Sequence, residues 1–209
     1  MTSAKRERPG KIVCVGRNYS EHAKELGNEV PKEPLIFLKP PSSVLAPGEA
    51  IVLPPQSAQV EYEGEIGVVI GARLSHASAA EATLAIQGIC ALNDVTARDL
   101  QKTDGQWTRA KGFDTFCPIG PGSPKPVDLG GLVVLTRVNG VERQRGLASD
   151  MVFPIPELLS YISGIMTLEP GDVVATGTPA GVGRLEDGDV VEVEVRGFSK
   201  ISNPVTKTV

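Results

Sequence analysis

The chain is organised around residues 60–70, which read Val60-Glu61-Tyr62-Glu63-Gly64-Glu65-Ile66-Gly67-Val68-Val69-Ile70. With the two-residue period of a β-strand, this stretch places Glu61, Glu63 and Glu65 on one face and apolar side chains on the other. Three carboxylates on one face repel each other unless water or a cation lies between them. The stretch therefore has two interpretations: a solvated face of an edge strand, or one wall of a metal site.

The overall composition is that of a globular protein, and 209 residues are enough to form one sizeable core. The 23 glycines and 17 prolines are spread along the chain, and this indicates many short strands and turns rather than a helical bundle. We predict a flexible polar tail over residues 1–10 and a single catalytic domain over residues 11–209. The predicted fold class is α+β and β-dominated, with helices packed outside a rolled sheet.

Charge and cysteine content exclude several classes of function. The net charge is −4 and the chain has one tryptophan, so a nucleic-acid partner is not expected. Cys14, Cys90 and Cys117 are odd in number and widely spaced, which predicts buried free thiols in a reducing compartment. No apolar run is long enough to span a membrane, and residues 1–9 lack the apolar run of a signal peptide. We therefore expect a soluble, cytoplasmic protein.

Local patterns predict the individual elements. The strongest signal is the hairpin over residues 132–144, because Asn139-Gly140 separates two strand-like runs. A short helix is expected over residues 20–26, with Asn18 or Ser20 as its cap and Gly27 at its end. Further helices are predicted over residues 78–86, 96–100 and 156–165, and further strands over residues 11–15, 34–39, 50–53 and 88–92.

One further candidate oxygen ligand follows the apolar strand over residues 88–92. Asp94 stands directly after this strand, where side chains often project into a cleft. With two of the three glutamates it would complete a cage of three carboxylates. No cysteine or histidine stands at ligand spacing, so the predicted ion is Mg²⁺, Mn²⁺ or Ca²⁺ rather than zinc. Three protein ligands on a six-coordinate ion leave positions open for water or substrate, which suits catalysis.

Two other segments carry candidate chemistry. His22 and Glu25 stand three residues apart and share one face of the predicted helix, where they form either an amphipathic surface turn or a catalytic pair. Gly177-Thr178 follows a strand and offers a backbone N–H and a hydroxyl suited to a substrate carboxylate, although it also reads as an ordinary turn.

Six segments together resemble the fumarylacetoacetate hydrolase family, in particular its short acylpyruvate hydrolase and oxaloacetate decarboxylase branch. They occur in order along the chain, at Gly16–Glu25, Glu33–Pro40, Tyr62–Glu65, Asn93–Gln101, Lys111–Pro121 and Thr176–Gly183. The resemblance implies a mixed β-roll, a homodimer, and Mg²⁺ or Mn²⁺ held by Glu63, Glu65 and Asp94. It leaves Glu61 as a neighbour of the ion. The site roles that the resemblance implies are substrate binding by Arg17, Gln101 and Thr178, and catalysis by Lys111 and by the pair His22 and Glu25 on a lid helix.

The family's substrates are 2-oxo acids, which are small molecules. The resemblance implies hydrolysis of acylpyruvates such as fumarylpyruvate or acetylpyruvate, in which pyruvate leaves as a metal-stabilised enolate. Imidazole is a suitable general base, so His22 would activate the attacking water, and the helix over residues 20–26 is predicted to be a mobile lid. Oxaloacetate decarboxylation and 2-hydroxyhepta-2,4-diene-1,7-dioate isomerisation are alternatives that need no water. A non-catalytic dimer stabilised by metal is a third.

The part of the substrate beyond the 2-oxo acid cannot be assigned from these motifs. We expect the loops over residues 46–59 and 102–108 to contact it. Arg143 and Arg145 are candidates for a second carboxylate, although a solvated hairpin is the simpler interpretation of these two residues.

Overall fold

The structure is a computed structural model that describes residues 8–25, 27 and 29–207. Most of the predicted N-terminal tail, the end of the predicted lid at Leu26 and the last two residues lie outside the described residues. The strands are β1 (Ile12–Gly16), β2 (Leu35–Lys39), β3 (Val44–Leu45), β4 (Ile51–Leu53), β5 (Val60–Tyr62), β6 (Gly64–Ile70), β7 (Ile86–Asn93), β8 (Thr96–Ala97), β9 (Cys117–Pro118), β10 (Ser123–Pro124), β11 (Val133–Val138), β12 (Val141–Leu147), β13 (Val173–Ala175), β14 (Gly183–Arg184), β15 (Val190–Val195) and β16 (Ser199–Lys207). The helices are α1 (Ser20–Glu25), α2 (Ala79–Leu84), α3 (Arg98–Thr103), α4 (Thr108–Lys111) and α5 (Ile155–Ile165).

The strands of the described residues form a mixed, strand-dominated α+β fold, as predicted. The largest sheet has the order β10-β7-β6-β13-β1-β2, and a second sheet has the order β12-β11-β15-β16-β4. Smaller sheets join β14, β5 and β8, and β3 with β9. One large buried cluster lies between the two main sheets and extends to α5. It includes Val13, Ile66, Val134, Val193 and Leu159.

The two main sheets are in close contact at Gly64, the first residue of β6. A Cβ atom at this position would lie 1.9 Å from Thr136 Oγ1 on β11, which no side chain tolerates. The absence of a Cβ atom therefore brings the residues on either side of Gly64, which are Glu63 and Glu65, against the second sheet.

Several predicted elements are confirmed by the structure. Asn139 and Gly140 have φ values of 52° and 76°, the left-handed pair that a two-residue hairpin requires. Helix α2 begins with a capping box, in which Ser78 and Glu81 each bond the other's backbone amide. Helix α5 buries one side, including Leu158, Leu159 and Ile162, as its 3.6-residue pattern predicts.

The prediction of one continuous strand over residues 60–70 is wrong. The chain changes sheets at Glu63, so that β5 ends at Tyr62 and β6 begins at Gly64 in a different sheet. The two amides at the break are satisfied by distant side chains, since Glu63 N donates to Asn93 Oδ1 at 3.0 Å and Gly64 N donates to Gln144 Oε1 at 3.0 Å. All three glutamates are buried, so the interpretation as a solvated edge is also wrong.

Two smaller predictions need correction. The helix expected from Thr96 begins instead at Arg98, because Thr96 and Ala97 form β8 and pair with β5. Asn18 does not cap α1. Its side chain instead bonds the backbone of Phe153 and Thr176, and so ties the turn after β1 to two other segments.

All three cysteines are buried and none of them forms a disulfide bond, as predicted. Burial raises the pKa of Cys117 to about 12 and that of Cys14 well above its ordinary value. No described helix has both the length and the hydrophobicity needed to cross a membrane.

We predict that the folded protein reacts with thiol reagents far more slowly than a free cysteine does. Only the thiolate is nucleophilic, and a raised pKa leaves almost none of it at pH 8. Titration with a chromogenic disulfide should give three thiols in denaturant and fewer than one in native buffer within the same time. Rapid reaction of all three in native buffer would contradict the burial described above.

Candidate functional site

Three carboxylates meet where β6 and β7 run side by side. These strands are antiparallel, with Gly64 opposite Asn93 and Glu65 opposite Leu92. Asp94 follows β7 directly, and its backbone N–H donates to the Glu63 carbonyl at 2.8 Å. One oxygen from each of Glu63, Glu65 and Asp94 lies within 4.8 Å of the other two, and all three residues are buried. This spacing is compatible with three ligands of a single cation.

Three buried cations surround the carboxylates. Lys111 Nζ lies 2.8 Å from Glu63 Oε2 and 2.5 Å from Asp94 Oδ2, between these two groups. Lys39 Nζ lies 2.6 Å from Asp94 Oδ1, and Arg98 pairs with both Glu61 and Glu63. Sequence reasoning assigned no role to Lys39 or Arg98, although both residues belong to the segments that carry the family resemblance.

The three cations are unevenly distributed, because they pair with Glu61, Glu63 and Asp94 and none of them pairs with Glu65. Burial raises the pKa of Glu63, but Lys111 and Arg98 outweigh it and hold the pKa below its ordinary value. Burial, together with Asp94 and Glu63, raises the pKa of Glu65 well above its ordinary value. No described lysine or arginine pairs with Glu65, whose Oε2 instead accepts the backbone N–H of Gly177 at 2.7 Å. A buried carboxylate without a cationic partner, beside two others, fits a divalent cation, which would supply the positive charge next to Glu65.

A small cavity of about 50 Å³ opens onto these carboxylates, with room for a few water molecules. Its walls contain every predicted site residue except Glu25, together with several residues that sequence reasoning did not assign to the site. The predicted ones are Arg17, His22, Glu63, Glu65, Asp94, Gln101, Lys111 and Thr178, and the additional ones are Val15, Gly16, Phe37, Arg98 and Trp107. Trp107 belongs to the loop expected to contact the rest of the substrate.

Helix α1 covers one side of the cavity. His22 is buried, and its Nδ1 lies 3.2 Å from Glu25 Oε2, so the two residues form the predicted pair. Both Glu25 oxygens also accept the backbone N–H of Gly181, at 3.0 and 3.2 Å. A proton on Nδ1 that points to Glu25 leaves the lone pair of the ring on Nε2.

The groups predicted to bind substrate differ in how many of their polar atoms already form hydrogen bonds within the protein. Gln101 Oε1 accepts from Arg98, which leaves its NH₂ group as a donor. The Thr178 hydroxyl donates to Gly64 O at 2.9 Å and accepts from Gln144 Nε2 at 2.8 Å. Because the Gly177 N–H is bound to Glu65, it is not the exposed anion donor that the sequence suggested. Arg17 has a left-handed φ of 58°, which is uncommon outside glycine and often accompanies function.

Comparison with known proteins identifies relatives over almost the whole chain. The fumarylacetoacetate (FAA) hydrolase C-terminal family matches residues 11–206. A protein of Arabidopsis thaliana named oxaloacetate tautomerase FAHD1, mitochondrial, is 47% identical over 205 residues, which are 95% of this chain and 92% of that protein.

Solved structures of similar proteins have the same fold. A 5-carboxymethyl-2-hydroxymuconate delta-isomerase from Mycobacterium smegmatis superposes with a TM-score of 0.89 at 44% identity, and covers 97% of this chain and 80% of its own. A 2-hydroxyhepta-2,4-diene-1,7-dioate isomerase from Mycobacterium marinum superposes with a TM-score of 0.88 at 45% identity, over 96% of this chain and 76% of its own.

Proposed function

Because this chain belongs to the fumarylacetoacetate hydrolase family, we propose that it is a divalent-metal-dependent enzyme of 2-oxo acids that interconverts the keto and enol forms of oxaloacetate. The observation that carries the proposal is the buried triad of Glu63, Glu65 and Asp94, with Lys111 beside it and no described cationic side chain paired with Glu65. The names of the relatives support this reaction class, since tautomerases and these isomerases all move a proton next to a 2-oxo or 2-hydroxy group.

The triad would hold Mg²⁺ or Mn²⁺, the ions that favour oxygen ligands and open coordination positions. When bound, the ion supplies a Lewis acid that stabilises negative charge on the 2-oxo oxygen. The ammonium of Lys111 lies beside the same carboxylates and adds a second positive charge near that oxygen. A carboxylate has about four lone-pair sites, so Glu63 and Asp94 can bind an ion and still accept from Lys111.

The remaining residues bind the substrate and move the proton. Arg17 and the NH₂ group of Gln101 are the donors that would hold the substrate's carboxylate. His22 Nε2 would take the proton from C3 of the keto form and donate it to the 2-oxo oxygen, which gives the enol, and the reverse transfer would restore the keto form, while Glu25 fixes the ring. The cavity of about 50 Å³ is far smaller than a typical ligand pocket of roughly 300–1,000 Å³, so one wall would move to admit the substrate. We propose that α1 is this wall.

Acylpyruvate hydrolysis is the second candidate, and the His22–Glu25 pair favours it. Hydrolysis needs a base that activates water for attack at C4 of the substrate, and an oriented imidazole is suited to that role.

The single catalytic domain, the homodimer and the cytoplasmic location also remain proposals.

The test is a direct assay of enol oxaloacetate, whose ultraviolet absorbance decays as the keto form appears. We expect Mg²⁺ or Mn²⁺ to give a rate well above the spontaneous one and EDTA to remove the difference. Acetylpyruvate and fumarylpyruvate should be assayed with the same preparation. If the metal-loaded protein acts on none of these compounds, the non-catalytic interpretation becomes the better one.

We predict that His22→Asn lowers kcat for proton transfer by roughly 10² to 10⁴-fold, because the amide cannot accept a proton at the position of Nε2. Binding of Mn²⁺, measured by calorimetry, should be unchanged, since His22 is not part of the triad. The matched control is His76→Asn, which changes the chain's other histidine, an exposed residue outside the cavity. Equal losses in the two variants would contradict a catalytic role for His22.

A further inference from the structure

Lys39 lies at the end of β2 and its side chain is completely buried. Its ammonium donates to Asp94 Oδ1 at 2.6 Å and to the Val95 carbonyl at 3.0 Å. Both acceptors belong to the turn that follows β7. The lysine therefore fixes one oxygen of Asp94 relative to the backbone of the same turn.

The surroundings of Lys39 offer no other described anion as a partner. Lys39 acts electrostatically on the thiols of Cys14 and Cys117, and burial raises the pKa of both, so they remain neutral. The carboxylate of Asp94 is therefore the anion that compensates the buried positive charge of Lys39. This pairing holds both side chains in one geometry.

The other two carboxylates of the triad are restrained in the same way. Arg98 holds Glu63 Oε1, and the backbone N–H of Gly177 holds Glu65 Oε2. One oxygen of each carboxylate is thus bound by a fixed donor of the protein. The second oxygen of Glu63 and of Asp94 accepts from Lys111, a residue that lines the cavity, and keeps lone pairs with which it can bind an ion.

We infer that Lys39 is a positioning residue that keeps Asp94 monodentate and thereby sets the preference of the triad for Mg²⁺ and Mn²⁺ over Ca²⁺. Ca²⁺ takes six to eight oxygens and readily uses both oxygens of a carboxylate, whereas Mg²⁺ requires six in octahedral geometry. Lys39 is completely buried and does not line the cavity, so it holds Oδ1 outside the cavity wall, whereas Oδ2 shares the cavity with Lys111, and this arrangement disfavours the bidentate mode. The inference rests on the metal site of the proposed function.

The test compares Lys39→Met with the wild-type protein by calorimetric titration of Mg²⁺, Mn²⁺ and Ca²⁺ without substrate. Methionine keeps most of the side-chain volume and removes the ammonium. We expect the ratio of Ca²⁺ to Mg²⁺ affinity to rise by about tenfold, the size of effect typical of residues that orient metal ligands. Loss of a nearby positive charge acts on both divalent ions alike, so it cancels in this ratio.

Lys11→Met is the matched control, because Lys11 also pairs with a buried aspartate, Asp172, and neither residue lines the cavity. The ratio of Ca²⁺ to Mg²⁺ affinity in Lys11→Met should equal that of the wild type. An unchanged ratio in Lys39→Met, with affinities for both ions shifted together, would overturn the inference and leave the proposed function intact. If the wild-type protein binds neither ion, both proposals fail.

A measurement on the wild-type protein keeps the inference testable if Lys39→Met does not fold. Water-proton relaxation counts the exchangeable waters on bound Mn²⁺. Three monodentate carboxylates on a six-coordinate ion leave about three waters, which is the expected result. A count of two or fewer in the absence of substrate would overturn the inference.

Discussion

Replacement of Glu65 by glutamine is expected to abolish turnover of 2-oxo acids and to leave the fold at least as stable as that of the wild type. The substitution removes one of three candidate ligands, so Mn²⁺ binding should be lost. We expect kcat/KM to fall by roughly 10³-fold or more, equivalent to about 4 kcal/mol of transition-state stabilisation.

The effect on stability has the opposite sign because of the surroundings of Glu65. The carboxylate is buried beside Glu63 and Asp94 and has no described cationic side chain as a partner. Glutamine removes the charge and can still accept the Gly177 N–H. In EDTA, the free energy of unfolding should be unchanged or greater by about 1 kcal/mol.

Glu61→Gln is the matched control for this experiment. Glu61 is also a buried glutamate of the same segment, but it bonds Arg98 and Gln59 and lies outside the triad. Its effect on metal binding should be much smaller. Turnover by Glu65→Gln within tenfold of the wild type would contradict the assignment of Glu65 as a ligand.

Replacement of Asp94 by asparagine is expected to remove activity and also to destabilise the fold severely. Lys39 is completely buried and cannot turn its ammonium to water, so the substitution leaves a buried charge without an anion. Removal of one partner of a buried ion pair costs about 3–5 kcal/mol. Urea unfolding in EDTA should show this loss as a lower midpoint.

Asp172→Asn provides the comparison, since Lys11 is 26% exposed and can reach water when its partner is lost. The loss of unfolding free energy in Asp172→Asn should be smaller than in Asp94→Asn. The double substitution Lys39→Met with Asp94→Asn should recover part of the stability, because neither charge then remains. Asp94→Asn with the stability of the wild type would show that Lys39 does not depend on this carboxylate.

The sequence predicts the elements that depend on local patterns. Helix α5 follows from its buried stripe, and the hairpin at Asn139-Gly140 follows from its turn chemistry. The spacing predicts a cage formed by Asp94 and two of the three glutamates, and the family resemblance rather than the spacing selects Glu63 and Glu65.

Features that depend on distant partners could not be predicted. The change of sheets at Glu63 is possible because Asn93 and Gln144, which lie 30 and 80 residues away, satisfy the amides at the break. Nothing near Lys39 in the sequence indicates a buried ammonium, since its partner Asp94 lies 55 residues further along. The burial of Glu61 and Glu63 depends in turn on Arg98 and Lys111, which pair with them from distant positions in the sequence.

The most direct measurement is the anomalous difference map of a crystal soaked in Mn²⁺. A divalent ion coordinated by Glu63, Glu65 and Asp94 predicts one strong peak between these three carboxylates. A saturating soak that leaves this position without a peak, or places Mn²⁺ on other residues, would contradict the account.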